Sequence, residues 1–187
     1  MSTPATRAEL SREAIHWVER MHSMVDALVE PIAAAHATRL QCRSGCNGCC
    51  SDALSVFEIE AQVIERHHAE LLATGTPNTQ GGCAFLDEQG GCRIYESRPY
   101  VCRTQGLPLR WLELDERDTP TELRDICPLN AEGPALDTLP AAACWTIGPI
   151  EERLAARQSA LDGGAGARVP LRGLFAASRR HLPLAQG

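Results

Sequence analysis

The sequence predicts a mostly helical α+β fold, in which a small helical domain and a short β-hairpin wrap around a cysteine-rich centre. Apolar residues recur at helical spacing before residue 40, cysteines crowd the middle of the chain, and the stretch from Gly148 onward is expected to form one or two helices. We expect one compact domain with three segments. These are an N-terminal helical segment (residues 1–40), a cysteine-cluster core (41–130) and a C-terminal helical extension (131–187).

Composition and charge narrow the class of protein. The formal net charge is −6, with 24 acidic and 18 basic residues, so we expect no broad attraction to phosphate backbones and no nucleic-acid partner. Residues 1–14 lack the apolar region of a secretory signal, and no apolar run approaches the roughly 18 residues of a membrane span. We therefore expect a cytoplasmic protein without membrane contact. There its nine cysteines, an odd number, would stay reduced rather than form a disulfide scaffold.

Two helices are predicted early in the chain. The first is indicated by an apolar stripe, with a kink or restart near Glu30 because Pro31 lacks a backbone donor. The stripe comprises Ile15, Val18, Met21, Val25, Leu28 and Ile32. The second helix is expected to begin near Ser55, where residues 55–58 read as a capping box, and to end at Gly75.

A β-hairpin is predicted next. Residues 83–86 and 92–95 flank the turn-forming sequence Asp-Glu-Gln-Gly-Gly. Such a hairpin would bring Cys83 and Cys92 close together across the two strands.

Further short elements are expected after the hairpin. Ser97 would cap a helix with Pro99 in its first turn, where a missing N–H costs little, and Cys102 would lie about one turn further in. Residues 107–114 are predicted to form a strand, and the Gly-Ala-rich residues 163–167 a linker.

Four cysteines lie within nine residues and are spaced C-x3-C-x2-C-C. These are Cys42, Cys46, Cys49 and Cys50. Thiolates are soft donors that favour zinc, Cu(I) and iron–sulfur clusters. C-x3-C-x2-C is also the triplet of radical S-adenosylmethionine enzymes, but this chain is too short for their usual barrel. With the cysteines further on, eight thiols could hold two four-ligand sites or one multinuclear centre, and the spacing leaves both open.

A family resemblance rests on three blocks. The C-x3-C-x2-C-C run is followed by Cys-Ala-Phe-Leu at Cys83 and by Cys-Arg-Ile-Tyr-Glu-Ser-Arg-Pro-Tyr-Val-Cys-Arg from Cys92 to Arg103. Over roughly residues 40 to 130 the chain closely resembles the YkgJ-type cysteine-cluster proteins, described as zinc- or iron-chelating domains. The resemblance implies eight metal-linked cysteines: Cys42, Cys46, Cys49, Cys50, Cys83, Cys92, Cys102 and Cys127.

The metal identity is predicted from a related resemblance. Flagellin lysine methylases carry a similar cysteine cluster, understood to be an iron–sulfur centre linked to methyl transfer. This favours a [4Fe-4S] cluster over the alternative, Zn²⁺. The methylase activity does not carry over, because this chain lacks the extra length of those enzymes and shows no cosubstrate motif.

Three residues outside the eight cysteines are further candidates for a role near the centre or in the core. Arg98 and Arg103 would either form ion pairs at the surface or donate hydrogen bonds to the thiolates, and we assign the second, cofactor-binding role to Arg103 beside Cys102. Cys144 is expected to be a buried apolar thiol.

Three functions remain open from the sequence. The first is an iron–sulfur protein in a redox or accessory role, with a protein or small-molecule partner that the sequence does not identify. The second is a zinc-stabilised binding module without catalysis, and the third a small iron–sulfur enzyme acting with S-adenosylmethionine. No catalytic residues are assigned, because Ser/His/Asp, Walker and Rossmann patterns are missing.

Overall fold

The computed structural model describes residues 11–43, 45–79, 81–116 and 118–180 of the chain. Most of the stretch on which the absence of a signal was predicted, and the end of the 131–187 segment, lie outside these residues. The helices are α1 (Arg12–Ala35), α2 (Glu58–His67), α3 (Ala69–Thr74), α4 (Tyr100–Arg103), α5 (Pro149–Asp162) and α6 (Gly173–Arg180). The strands are β1 (Ser55–Phe57), β2 (Leu109–Leu114), β3 (Pro120–Asp125), β4 (Trp145–Thr146) and β5 (Arg168–Pro170). The α+β class is confirmed.

Helix α1 begins where the apolar stripe begins. Ser11 caps it by accepting a hydrogen bond from the Ala14 backbone N–H at 3.2 Å. The inward stripe is confirmed up to Val25, which is buried, and Ile32 also packs against the core, whereas Leu28 is 49% exposed. Of the kink or restart expected near Glu30, the restart does not occur, because the helix continues through Pro31 to Ala35 as one element.

The second predicted helix differs at its start and is divided. Ser55 is not a cap: it lies in β1, opposite Pro170 of β5, and the helix begins at Glu58. Strand pairing with a distant segment outweighs the local capping signal here. The helix is interrupted at His68 to give α2 and α3, and Gly75 follows the last turn of α3 as predicted.

The hairpin predicted at 83–95 is reduced to a single antiparallel bridge between Leu86 and Cys92. The Asp87 N–H donates to the Gly91 carbonyl at 2.8 Å and closes the turn. The extended hairpin of the molecule lies instead at β2 and β3, six residue pairs long, with β4 parallel on the other side of β2. The strand predicted over 107–114 is therefore confirmed as β2.

The predicted cap at Ser97 is also wrong. Ser97 ends a one-turn 3₁₀ helix, and α4 begins at Tyr100 with Pro99 in the cap position. Both C-terminal helices, α5 and α6, are confirmed, as is the linker between α5 and β5.

The core has two parts. The first packs α1, one face of α2 and α5 together around Val18, Ile59 and Leu154, with Trp145 of β4 at its edge. The second lies between the other face of α2, α3, α6 and the 84–86 segment, where the rings of Phe85 and Phe175 are 5.1 Å apart. In the described part of the chain, no helix is long and apolar enough to cross a bilayer.

Candidate metal centre

Seven of the eight predicted cysteines line one cavity of about 210 Å³. They are Cys42, Cys46, Cys49, Cys50, Cys83, Cys92 and Cys102. All carry free thiols. Most of the remaining wall is apolar, with Phe85, Ile94 and Leu171 from the second core, and two cations, Arg43 and Arg98, also face the cavity.

The cysteines reach the cavity from three segments. The loop between α1 and β1 carries the four-cysteine run, the loop between α3 and α4 carries Cys83 and Cys92, and α4 carries Cys102. The first two loops are joined where the Cys83 N–H donates to the Cys50 carbonyl at 2.8 Å. Gly45 has a φ of +84°, a left-handed conformation that glycine adopts at little cost, and it turns the chain between Cys42 and Cys46.

Arg172 fastens the second cysteine loop to the first. Its guanidinium forms an ion pair with Asp52 and donates to the carbonyls of Asn78 (2.7 Å), Thr79 (3.1 Å) and Gly82 (3.0 Å). Charge-assisted bonds of this kind are stronger than neutral ones. One side chain near the C-terminus thus holds the chain on both sides of the cavity.

Asn130, fully buried, positions Cys42. Its side-chain amide donates to the Gly106 carbonyl at 2.7 Å and to Cys42 Sγ at 3.4 Å, and its Oδ1 accepts from the Gln41 N–H at 2.7 Å. Buried Arg39 in turn donates to the Asn130 carbonyl at 3.0 Å. No sequence pattern signalled these two residues, because their partners are distant along the chain.

Cys127 does not line the cavity. It precedes a 3₁₀ turn over Pro128–Asn130, and the Asn130 N–H donates to its carbonyl at 2.8 Å. Negative charge on Cys127 contributes to the raised pKa of Cys42, so the two thiols lie near each other. Cys127 is therefore at the margin of the thiol group.

The thiols surround a space rather than a point. Among the described residues, no three His, Cys, Asp or Glu side chains converge on one ion position. The arrangement therefore differs from a closed four-ligand site of the kind that structural zinc occupies. The identity of the individual ligands stays a prediction.

Burial makes most of these thiols weak acids. It raises the pKa of Cys42, Cys83 and Cys92, and raises that of Cys102 to about 12. The adjacent Cys49 and Cys50 behave oppositely to each other. A hydrogen bond from Cys50 lowers the pKa of Cys49 to about 6 and raises that of Cys50.

A metal ion would displace the protons from the neutral thiols, so its binding would release acid. Cys49 would already be a thiolate at neutral pH, which makes it the first available donor.

The two candidate arginines face different surroundings. Arg103 donates to the carbonyls of Arg98 (2.8 Å) and Glu96 (2.8 Å) and forms an ion pair with Asp26 of α1 at 2.5 Å. Arg98 lines the cavity. The cofactor role assigned to Arg103 stays a prediction.

Glu60, a further residue missed from the sequence, supports α4. Its Oε1 accepts from the Tyr100 N–H at 2.7 Å and lies 3.0 Å from His22 Nε2, and both side chains of this pair are buried. This pair anchors the first residue of the helix that carries Cys102. Cys144 is buried and outside the cavity lining, as expected for a packed thiol.

Comparison with known proteins identifies the cysteine segment. Residues 41–128 match the sequence model of a family described as "CxxCxxCC: putative zinc- or iron-chelating domain". The match spans all eight cysteines and covers both cysteine loops and α4. No curated protein and no solved structure matches the chain.

Proposed function

Because this chain belongs, through residues 41–128, to the YkgJ-type CxxCxxCC family of domains that chelate zinc or iron through cysteines, we propose that its thiol-lined cavity holds an iron–sulfur centre of the [4Fe-4S] type. We propose a redox or accessory role for this centre in the cytoplasm, where the thiols would stay reduced.

The single observation that supports a cluster is the meeting of seven cysteines around one cavity. Zinc in a structural site needs four donors at about 2.3 Å and leaves no space between them. The thiols here surround a space of about 210 Å³, which a single zinc ion with four close donors would not fill and a multinuclear centre would. The apolar side of the wall would shield the centre from water, a factor that tunes cluster potentials.

The chain's own residues would each contribute a distinct part. The seven cavity cysteines would supply the thiolates, with Cys127 at the margin. Asn130 would orient Cys42, Glu60 would hold α4 in place, and Arg172 would keep the two cysteine loops together. When bound, an iron–sulfur centre supplies one-electron transfer. A redox or accessory role also requires a partner, which we expect to be a protein or a small molecule rather than a nucleic acid.

The proposal is tested by anaerobic purification followed by iron and acid-labile sulfide analysis and paramagnetic resonance. We expect both elements in comparable amounts, a brown colour, and loss of both in Cys102→Ser. Cys144→Ser is the matched control, since it also alters a buried thiol, but one outside the cavity, and should retain them.

Three results would contradict the proposal or change its form. Colourless protein with stoichiometric zinc that is unaffected by air would support the zinc-stabilised binding module instead. Equal metal content in both variants would show that the cavity is not the site. A cluster that changes its resonance spectrum on addition of S-adenosylmethionine would turn the accessory role into an enzymatic one.

A further inference from the structure

The Arg98 side chain lies in the cavity wall and packs against the aromatic ring of Tyr95. Its guanidinium carbon lies 3.6 Å from the centroid of the Tyr95 ring, a cation–π contact. Tyr95 opens the 3₁₀ turn before α4, and Pro99, which follows Arg98, is fully buried. The backbone on one side of Arg98 and the aromatic face on the other thus fix where its charge lies.

The Arg98 side chain also carries a donor with no acceptor. Its Nε is buried and has no hydrogen-bond partner among the described residues. A buried donor without a partner costs free energy, so a native protein retains one where something else compensates. Here the guanidinium adjoins a cavity of thiols, which become anions when they bind metal.

The other arginines near the thiols do not share this arrangement. All three guanidinium nitrogens of Arg103 are bonded, to two carbonyls and to Asp26. Arg43 lines the same cavity but is exposed to solvent, which screens its charge. Arg98 alone among these three combines a cavity position with partial burial and an unpaired donor.

The reach of the Arg98 charge agrees with this geometry. After the Cys50 hydrogen bond, the Arg98 charge is a further cause of the lowered pKa of Cys49. It also offsets a small part of the burial that raises the pKa of Cys92 and Cys102, and the three thiols come from the three different segments that form the cavity. One cation therefore acts on thiols from every wall.

We propose that Arg98, positioned by Tyr95, is the cation that compensates the negative charge of the thiolate-bound centre and so strengthens metal binding. This inference rests on the proposed thiolate centre and deepens it. Arg98 acts through its charge across the cavity, so it is a positioning and tuning residue rather than a ligand.

The first test measures the potential inside the metal-free cavity and needs no cluster. Cysteine alkylation by anionic iodoacetate is compared with that by neutral iodoacetamide, since their rate ratio reports the local charge. We expect Arg98→Gln to lower this ratio roughly fivefold at Cys49, from the Coulomb energy of a nearby unit charge in high dielectric. Arg98→Lys should restore much of it, and Arg66→Gln, a control at an exposed arginine of α2 outside the cavity lining, should leave it unchanged.

The second test measures metal affinity by competition with a chelator. Arg98→Gln should weaken iron retention roughly tenfold, as loss of a group that supports ligands does, and Arg98→Lys should weaken it less. If Arg98→Gln does not fold, Tyr95→Leu serves instead, because Tyr95 is 56% exposed and its loss should free Arg98 without emptying the core.

The outcomes separate this inference from the proposed function. An alkylation ratio unchanged in Arg98→Gln, or lowered equally by Arg66→Gln, overturns the role of Arg98 whether or not metal binds. Unchanged iron retention in Arg98→Gln overturns it as well. If Arg98→Gln lowers the ratio but the wild-type protein never binds metal, the charge assignment is supported and the proposed function is contradicted.

Discussion

Two parts of the molecule are stabilised in different ways. The helical half comprises α1, α2 and α5, and the thiol-lined half comprises the two cysteine loops and α4. Around α1, α2 and α5, apolar side chains such as Val18, Ile59 and Leu154 are fully buried and the backbone bonds within helices. Around the cavity, the two cysteine loops contain little regular structure, and their thiols enclose a space. The first half is held by apolar contacts. The second half also has apolar contacts, at Phe85, but its loops are held in addition by specific polar bonds.

Side-chain donors replace backbone ladders in the thiol-lined half. Arg172 bonds three carbonyls of the second cysteine loop, and Arg93 bonds the carbonyls of Ala84 (2.7 Å) and Phe85 (3.4 Å). Loops whose carbonyls are bonded this way avoid the cost of unpaired polar groups. Apolar burial therefore stabilises the part around α1, α2 and α5, whereas long polar side chains and, we expect, metal hold the two cysteine loops.

The largest expected effect comes from removing the metal. Chelation should remove hydrogen-exchange protection from the two cysteine loops and α4 but leave α1 and α5 protected, because only the loops depend on the centre. Structural metal in thiolate sites contributes on the order of 10 kcal/mol in zinc-finger peptides, so a loss of several kcal/mol is expected here. Exchange followed by mass spectrometry measures this. Equal loss of protection in both halves would erase the distinction between them.

Truncating a core side chain should have the next largest effect, and it should lower the stability of the helical half without changing metal binding. Leu154→Ala removes a fully buried side chain between α5 and α1, and should lower the free energy of unfolding by about 2–5 kcal/mol in a denaturant titration. Metal content per folded molecule should not change. Leu161→Ala, on the same helix but 42% exposed, is the control and should have little effect. Metal loss in Leu154→Ala would show that the halves are coupled.

Substitution of Asn130 tests whether its hydrogen bonds stabilise the cavity. Asn130→Ala leaves the Gly106 carbonyl and the Gln41 N–H without their partner, which should cost about 1–3 kcal/mol. It should also weaken metal binding, because Cys42 loses the amide that orients it. Denaturant titration and chelator competition measure the two effects. Exposed Asn47 in the same loop offers a control, Asn47→Ala, which should change neither.

The smallest effect concerns reactivity within the metal-free cavity. Cys49 has a pKa of about 6, lowered by the Cys50 hydrogen bond, so its thiolate forms as the pH rises through 6 rather than through the ordinary 9.0. Its alkylation by iodoacetamide should therefore be half-maximal near pH 6. Cys102, whose pKa burial raises to about 12, should stay unreactive up to pH 9. Peptide mapping of the alkylated protein across this pH range measures both reactivities. A midpoint near pH 9 for Cys49 would contradict the hydrogen bond from Cys50.

The element predicted on the strongest signal is α1, because its apolar stripe at helical spacing is local information. α5 and β2 were predicted without such a stripe, and both are present. Ser55 and the 83–95 hairpin were predicted wrongly because their outcome depends on distant chain. β5 recruits Ser55 into a strand, and the second cysteine loop is held by Arg172 rather than by its own strand ladder.

The helical turn explains the contrast between Arg103 and its neighbour. Consecutive helical residues point about 100° apart, so Cys102 and Arg103 face different neighbours. On α4, Cys102 faces the cavity and Arg103 reaches Asp26 on α1. Arg103 is not in the cavity lining although it follows Cys102 directly, and its cofactor role stays a prediction. Arg98, four positions before Cys102, lines the cavity.

The sequence by itself determined which donors the chain carries, because residue type sets donor softness. The dense four-cysteine run predicted a thiolate metal centre, and the family resemblance extended that prediction to eight cysteines. The sequence left open whether those thiols form two small sites or share one space, and which cations and amides serve them. Only the tertiary structure decided that seven of them share a cavity with Arg98, and that Asn130 meets Cys42 across 88 positions of chain. The physical reason is that such contacts arise from packing of whole elements, which no local pattern encodes.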